Sequence, residues 1–258
     1  MKIYAIANQK GGVGKSTTVQ ALAAGLARAG KSVLMIDIDP QSNLTTISKA
    51  VSDAEDKSTV TMLEVLTEER TMDEAIQHVG ACDIVPSSMF LASIDGRLTN
   101  SLARPFRLQK AISEMKHQYD FIFIDTPPAL GTLTNNALIA AESVVITAQA
   151  DILSLQGVSQ IYETIKAARE HANPSLRIEG ICLTRYNDRT RLTKEVSGLF
   201  ETAAREMGTK LFATRIREGI AVKEAQAARE DLFTYDAKSN PAMDYRSLIE
   251  EIFGIKVK

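Results

Sequence analysis

An α/β fold, a mostly parallel twisted sheet with helices on both faces, is predicted by three observations. Short β-branched apolar runs alternate with stretches of helical period; several of those runs close on an aspartate; and the first leads straight into a glycine-rich turn and a helix. A chain of 258 residues with 45% hydrophobic and 24% charged residues can bury one sizeable core. No proline- or glycine-rich linker and no internal repeat divides it, so residues 1–258 are read as a single domain.

The first strand is read at 2–8, where Ile3-Tyr4-Ala5-Ile6-Ala7 is apolar on both faces, as a buried parallel strand requires. A helix at 16–28 follows the glycine-rich turn. Further strands are read at 32–37, 82–86, 120–125, 143–147 and 177–184, with a shorter one at 210–213. Residues 48–61 are polar and aperiodic, which marks the longest loop. Leu155, Val158, Ile161 and Ile165 recur at helical spacing within 154–169, a stripe that belongs to the core rather than to a site. In the tail, 245–258, Glu250 and Glu251 sit among Leu248, Ile249, Ile252, Phe253 and Ile255. That mixture suits a helix packed on the domain better than one lying on a membrane.

Composition removes several function classes. No apolar stretch approaches the ~20 residues that span a bilayer. The N-terminus enters a strand at once instead of passing through a charged and then apolar leader, so a cytoplasmic location is expected. Cys82 and Cys182 stand singly and His78, His117 and His171 are scattered, which reads as buried thiols and surface imidazoles rather than a metal site.

The chemistry concentrates in three places. Lys10-Gly11-Gly12-Val13-Gly14-Lys15-Ser16-Thr17 is a phosphate-binding loop with a second lysine at its start. Glycines let successive N–H groups turn onto phosphate oxygens, Lys15 reaches the β/γ-phosphates, and the Ser16 hydroxyl suits Mg²⁺. The start of the following helix adds its own unpaired N–H groups to the anion site. A turn that bound nothing would have no use for lysines flanking three glycines. The second place is Asp125, which closes the apolar strand Phe121-Ile122-Phe123-Ile124 and is well set to hold the water shell of the metal. The third is Val33-Leu34-Met35-Ile36-Asp37-Ile38-Asp39, whose alternation puts both aspartates on one side of the extended chain, where a cation and a polarised water are suitable partners.

In these residues the chain resembles the ParA family of partition ATPases, deviant phosphate-loop proteins close to MinD. The matching segments are Lys10 to Thr17, Asp37-Ile-Asp39-Pro-Gln41, and Asp125-Thr-Pro-Pro-Ala-Leu-Gly131 with Leu133-Thr134 and Asn136-Ala-Leu138 behind it, in the family's order. The resemblance implies a phosphate-loop NTPase-like fold and an ATP- and Mg²⁺-dependent homodimer, with Gly11 to Thr17 holding the nucleotide. Lys10 would reach across to phosphates held by the other subunit, Lys15 would hold those of its own, and Asp39 would orient the attacking water. Asp37 would stand nearer the metal with Ser16, and Asp125 would lie in the second switch. Thr184-Arg185-Tyr186 and the segment after Thr214 would wall the adenine. With no local arginine-finger motif, turnover should be slow unless a ParB-like partner accelerates it.

From Arg185 to Arg229 there are ten Lys/Arg against six Asp/Glu, a balance of +4 in a chain whose net charge is −2. Cations gathered on one face contact DNA phosphates without reading sequence. The resemblance puts Arg189 at a DNA-contacting position, with Arg191 beside it. Where many relatives carry Pro-Arg-x-x-Arg-Leu-Ser-Glu-Ala, this chain has Arg217 to Ala225 with Ala221 at the second arginine, and Arg217 and Lys223 are the replacements. The expected role is therefore plasmid or chromosome partitioning on non-specific double-stranded DNA of the nucleoid. The competing readings are a MinD-like membrane positioner, a nucleoid-bound positioner of protein cargo, and a nucleotide-dependent scaffold without useful hydrolysis. The phosphate loop begins at residue 10, without the helix-turn-helix domain that precedes it in larger plasmid members, so sequence-specific autorepression is not expected.

Overall fold

The computed structural model describes residues 1–99, 101–187 and 191–257; the side chains of 191 and 192 lie outside that description. The chain runs β1 (Lys2–Ala7), α1 (Lys15–Arg28), β2 (Val33–Asp37), α2 (Asn43–Ile47), α3 (Met62–Leu66), α4 (Met72–Ala75), β3 (Gln77–Val79) and β4 (Cys82–Val85). It continues through α5 (Ile94–Arg97), α6 (Arg107–Ser113), β5 (Phe121–Asp125), α7 (Thr132–Ala140), β6 (Ser143–Ala148), α8 (Ile152–His171) and β7 (Arg177–Leu183). Helices α9 (Arg191–Glu206), α10 (Ile220–Ala228), α11 (Leu232–Asp236) and α12 (Asn240–Phe253) complete it.

Seven strands form one sheet in the order β3-β4-β2-β5-β1-β6-β7, parallel throughout except for β3, which folds back antiparallel on β4. The fold class read from the sequence is therefore observed. Alternation along β1 sends Ile3, Ala5 and Ala7 into the layer that includes α3, α6, α7 and α8, and Tyr4 and Ile6 into the layer of α1 and α12. Both layers are dry, which is why the strands read as unbroken apolar runs. In α8, Val158, Ile161 and Ile165 are buried and Leu155 is partly so, as their spacing predicts.

Two readings need correction. The segment 210–213 is not a strand of the sheet. It makes a single bridge, Leu211 opposite Ile181, and then leaves, its Phe212 ring filling the place of a side chain at Gly180. The strand β3 was not foreseen, because three residues are too few to show a period; its Gln77 side chain exchanges two hydrogen bonds with the backbone of Val51, at 2.8 and 2.9 Å. The loop 48–61 thus lies against one end of the sheet, as the chain from Lys210 to Glu218 lies against β7 at the other.

The tail packs inward. Leu248 and Ile249 of α12 are fully buried, and the Phe253 ring meets Tyr4 edge-on at 5.3 Å and Phe121 at 5.2 Å. Ile249 sits so close to α1 that a Cβ on Gly25 would lie 2.2 Å from its Cδ1. At Gly180 an added Cβ would meet three Phe212 ring atoms at 2.6 to 2.9 Å. Phe212 is fully buried and has nowhere to retreat, so Gly180→Ala should destabilise the fold by about 1–3 kcal/mol, the usual scale of overpacking. Urea unfolding checks this, and trimming the ring with Phe212→Leu in the same chain should recover part of the loss.

Candidate active site

The phosphate loop leaves the carboxyl end of β1, between the ends of β5 and β6. Gly12 and Gly14 have φ of +75° and +81°, a backbone that favours glycine, and Gly14 caps α1 without a side-chain bond, leaving the first N–H groups of that helix facing outward. A cavity of about 420 Å³ opens on this turn. Its inner wall includes Gly11 to Lys15 without Val13, together with Ser16 and Thr17; the far wall includes Thr184, Arg185, Arg217, Gly219 and Val222. Val13 faces inward, fully buried, and its carbonyl accepts from the Thr184 hydroxyl at 2.8 Å. Thr17 accepts from Gln226 of α10 at 2.9 Å.

The parallel register of β2 and β5 sets Asp37 directly beside Asp125. The two carboxylates do different work. Asp37 is committed to backbone, accepting from the Thr45 amide and hydroxyl at 2.8 Å each and from the Asp39 amide at 3.1 Å. Asp125 is fully buried, and neither of its oxygens has a hydrogen-bond partner. Burial pushes Asp37 up to about 7. Burial first, and the charge of Asp37 second, hold Asp125 well above the carboxylate range, with the Ser16 hydroxyl and the Lys15 ammonium opposing. Burial also raises Asp39, whose Oδ1 accepts from the Gln41 amide at 3.0 Å. Lys15 is lowered by its own burial, against the pull of Asp125 and Asp39, and its ammonium turns back onto the Lys10 carbonyl at 3.3 Å. Two orphaned carboxylate oxygens near a serine hydroxyl make a hard oxygen donor set, which fits a hydrated divalent cation.

Lys10 opens the phosphate loop and is half-buried. Its ammonium bonds both oxygens of Asp151 at 2.8 and 3.0 Å and the Ser154 hydroxyl at 3.1 Å. Asp151 is also the N-cap of α8, accepting from the Ser154 amide at 2.8 Å. Burial raises this carboxyl, but the bonds from Lys10 and Ser154 outweigh it and hold it below its ordinary value. Helix α8 comes this near because Gly157 has no side chain: a Cβ there would lie 2.6 Å from Asn8 Oδ1, the atom that accepts from the Lys10 amide.

The basic residues are dispersed. Arg217 is gripped by Asp244 of α12, and Lys223 is exposed on the rim of the cavity. Arg189 and the side chain of Arg191 lie outside the described residues. Thr184, read in the sequence as a wall of the base site, also bonds the phosphate loop. Thr45, Ser87, Asp151 and Ser154 were missed in the sequence. Of these only Asp151 carried a signal, the Asp-x-x-Ser of a helix N-cap.

A parallel sheet with a two-lysine phosphate loop after its first strand and aspartates closing two neighbouring strands defines a phosphate-loop NTPase. A family model described as an AAA domain matches residues 1–178. Sporulation initiation inhibitor protein Soj of Bacillus subtilis (strain 168) is 37% identical over 253 residues, 97% of this chain and 98% of that protein. Chromosome partitioning protein ParA of Myxococcus xanthus is 35% identical over 257 residues, 97% of this chain and 87% of that protein. The solved structure of cobyrinic acid a,c-diamide synthase from Mycobacterium smegmatis, with bound ATP analog and magnesium, has a TM-score of 0.82 at 29% identity and covers 100% of this chain and 98% of that one. The chain belongs to the ParA family of partitioning ATPases.

The acidic pair makes stability depend on pH. Asp37 keeps its proton to about pH 7 when folded and would lose it near pH 4 when unfolded, so the native state binds the extra proton between those values. The stability this proton contributes is complete below the unfolded pKa and is lost as pH rises through the folded one, at up to about 1.4 kcal/mol per pH unit. Asp125 is raised in the same direction, so its own proton adds to this loss, and without nucleotide or divalent cation Asp125→Asn should gain stability over the parent as pH rises from about 5 to about 8. Urea unfolding at both pH values tests the sign.

Proposed function

We propose that residues 1–258 act as one ATPase domain that binds ATP with Mg²⁺, dimerises around it, and partitions a plasmid or chromosome on non-specific DNA of the nucleoid. The observation that carries this reading is Lys10, the first residue of the phosphate loop, whose ammonium is held beside it by Asp151 and Ser154 of the same chain. Exchange of Asp151 for a phosphate oxygen of the facing subunit would make nucleotide the price of dimerisation. Exposed apolar side chains support such a contact. Met89 and Phe90 after β4, Leu130 after β5, and Ile152 and Leu153 after β6 all stand at the carboxyl end of the sheet, around the phosphate loop.

In this reading Gly11, Gly12, Val13 and Gly14 present backbone to the phosphates, and Thr17 secures the first turn of α1. Lys15 leaves the Lys10 carbonyl to meet the β/γ-phosphates. Asp125 and the Ser16 hydroxyl would hold the hydrated Mg²⁺, with Asp37 beside them anchored to Thr45 and the Asp39 amide. Bound Mg²⁺ supplies positive charge to the phosphate oxygens as the transferring group separates. Asp39, fixed by the Gln41 amide and with its carbonyl bonded by the Ser87 hydroxyl at 2.6 Å, orients water. A ParB-like activator would complete the charge that the chain itself leaves unsupplied.

DNA rather than membrane is the favoured surface, because the apolar face of α12 is already packed on α1, β1 and β5. Among the described residues no helix is long and apolar enough to cross a bilayer. On the basic side, α9 buries Val196, Phe200 and Ala204 and leaves Lys194 and Arg205 exposed. Arg189, which lies outside the described residues, and Arg191, with Lys223, are proposed to meet phosphates; the Asp244 pairing leaves Arg217 the weakest of the four candidates.

Phosphate release from purified protein, alone, with DNA, and with DNA and the product of a neighbouring gene, tests the enzyme. No release under any condition would remove the ATPase claim. Lys15→Ala should abolish nucleotide binding, Lys10→Ala should keep binding and lose the dimer, and Asp39→Ala should accumulate an ATP-bound dimer visible by light scattering. A Lys10→Ala protein that dimerises normally would refute the cross-subunit role. Arg189→Glu should weaken DNA binding alike on unrelated sequences and flatten its salt dependence; unchanged retention on DNA would show that the interface lies elsewhere.

A further inference from the structure

The wall of the cavity opposite the phosphate loop includes residues 216–219 of the irregular segment 213–219, which forms no strand or helix of its own and whose backbone bonds to that of Leu183 at the end of β7 and of Tyr186 beyond it. One face of α12 holds it at three points. Glu251 accepts from the Ala213 amide at 2.7 Å and the Thr214 amide at 2.8 Å. Two turns earlier, Asp244 accepts from the Arg217 amide at 2.9 Å and takes the Arg217 guanidinium side-on, at 2.9 Å to Nε and 2.6 Å to Nη2. One turn earlier again, Pro241 packs so closely on Gly219 that a Cβ there would lie 2.7 Å from its Cγ. Spacings of three and seven residues place 241, 244 and 251 on a common helical face. The adjoining Tyr245 bonds the Thr18 hydroxyl of α1 at 3.0 Å. Helix α12 is therefore fixed to the phosphate-loop helix on one side and to the far wall on the other.

We propose that Asp244 and Glu251 are positioning residues for the nucleotide base: α12 sets the distance and angle between the base wall and the phosphate loop. The inference rests on the reading that this cavity takes ATP. Main-chain groups can recognise a base edge only if the main chain is held, and here two carboxylates add charge-assisted hydrogen bonds to backbone N–H groups that the bonds to Leu183 and Tyr186 leave open. Asp244 is largely buried, its side chain 12% exposed, so water does not compete freely for Arg217. The phosphate loop has its own supports, Thr184 and Gln226, which do not pass through Asp244 or Glu251. Loss of the brace should therefore separate recognition of the base from recognition of the phosphates.

Calorimetric titration of the full chain with ATP, and separately with inorganic tripolyphosphate, each with magnesium, tests this. Asp244→Asn should weaken ATP by about tenfold, the scale of one charge-assisted hydrogen bond, and leave tripolyphosphate unchanged. Glu251→Gln should give the same pattern to a smaller extent, and Asp244→Glu should restore part of the ATP affinity. If Asp244→Asn does not fold, Arg217→Gln removes the guanidinium bonds to Asp244 while keeping the amide bond, and should show the same split to a smaller extent. Equal loss of both ligands, or no loss of either, would overturn the inference. A parent protein that binds tripolyphosphate but not ATP would instead overturn the reading of the cavity on which it rests.

Discussion

Two carboxylates in register at the ends of adjacent parallel strands govern this site. Parallel pairing of β2 with β5 leaves Asp37 and Asp125 no freedom to avoid one another, and the layers above and below exclude the water that would screen them. Such a pair is unfavourable in the empty protein. The fold accommodates it by tying one member down: Thr45 and the Asp39 amide satisfy Asp37, while the Asp125 oxygens are left with the Ser16 hydroxyl close by. The pair is thus a demand for positive charge, met by protons in the empty protein, beside the glycine turn. Nearby Lys15 does not meet that demand, because it is itself impoverished by burial.

The same logic explains the position of Lys10. A lysine beside a second lysine and an anion cradle needs a partner when the cradle is empty, and Asp151 provides one without entering the cradle. The partner comes from a helix that can approach only because position 157 is glycine. A resting contact on a partly exposed pair is weak enough to be displaced.

Much of this was legible in the chain. The phosphate loop shows because glycines and lysines at fixed spacing have few other uses, and the strand-end aspartates show because an acid closing an apolar run is conspicuous. Strands with both faces buried announce themselves by their unbroken apolar runs. What stayed hidden were contacts between distant segments whose residues have ordinary local roles. Asp151 reads as a helix cap, Thr184 as a strand-end residue, and Asp244 and Glu251 as charges on a tail helix. Arg217 reads as a surface cation until the fold brings Asp244 to it. The segment 210–213 reads as a strand because its local pattern cannot reveal that Phe212 will turn under Gly180 and end the pairing.

The two margins of the sheet bear on how copies of this protein can meet. One margin is a three-residue antiparallel strand tied through Gln77 to Val51, and the other is shadowed by the chain from Lys210 to Glu218. Neither offers the long row of open N–H and C=O groups on which a second sheet could continue. Continuation of a sheet between molecules is persistent and indifferent to what either one has bound. With both margins closed to it, any contact between copies falls to side-chain surfaces, which can part without breaking a backbone ladder.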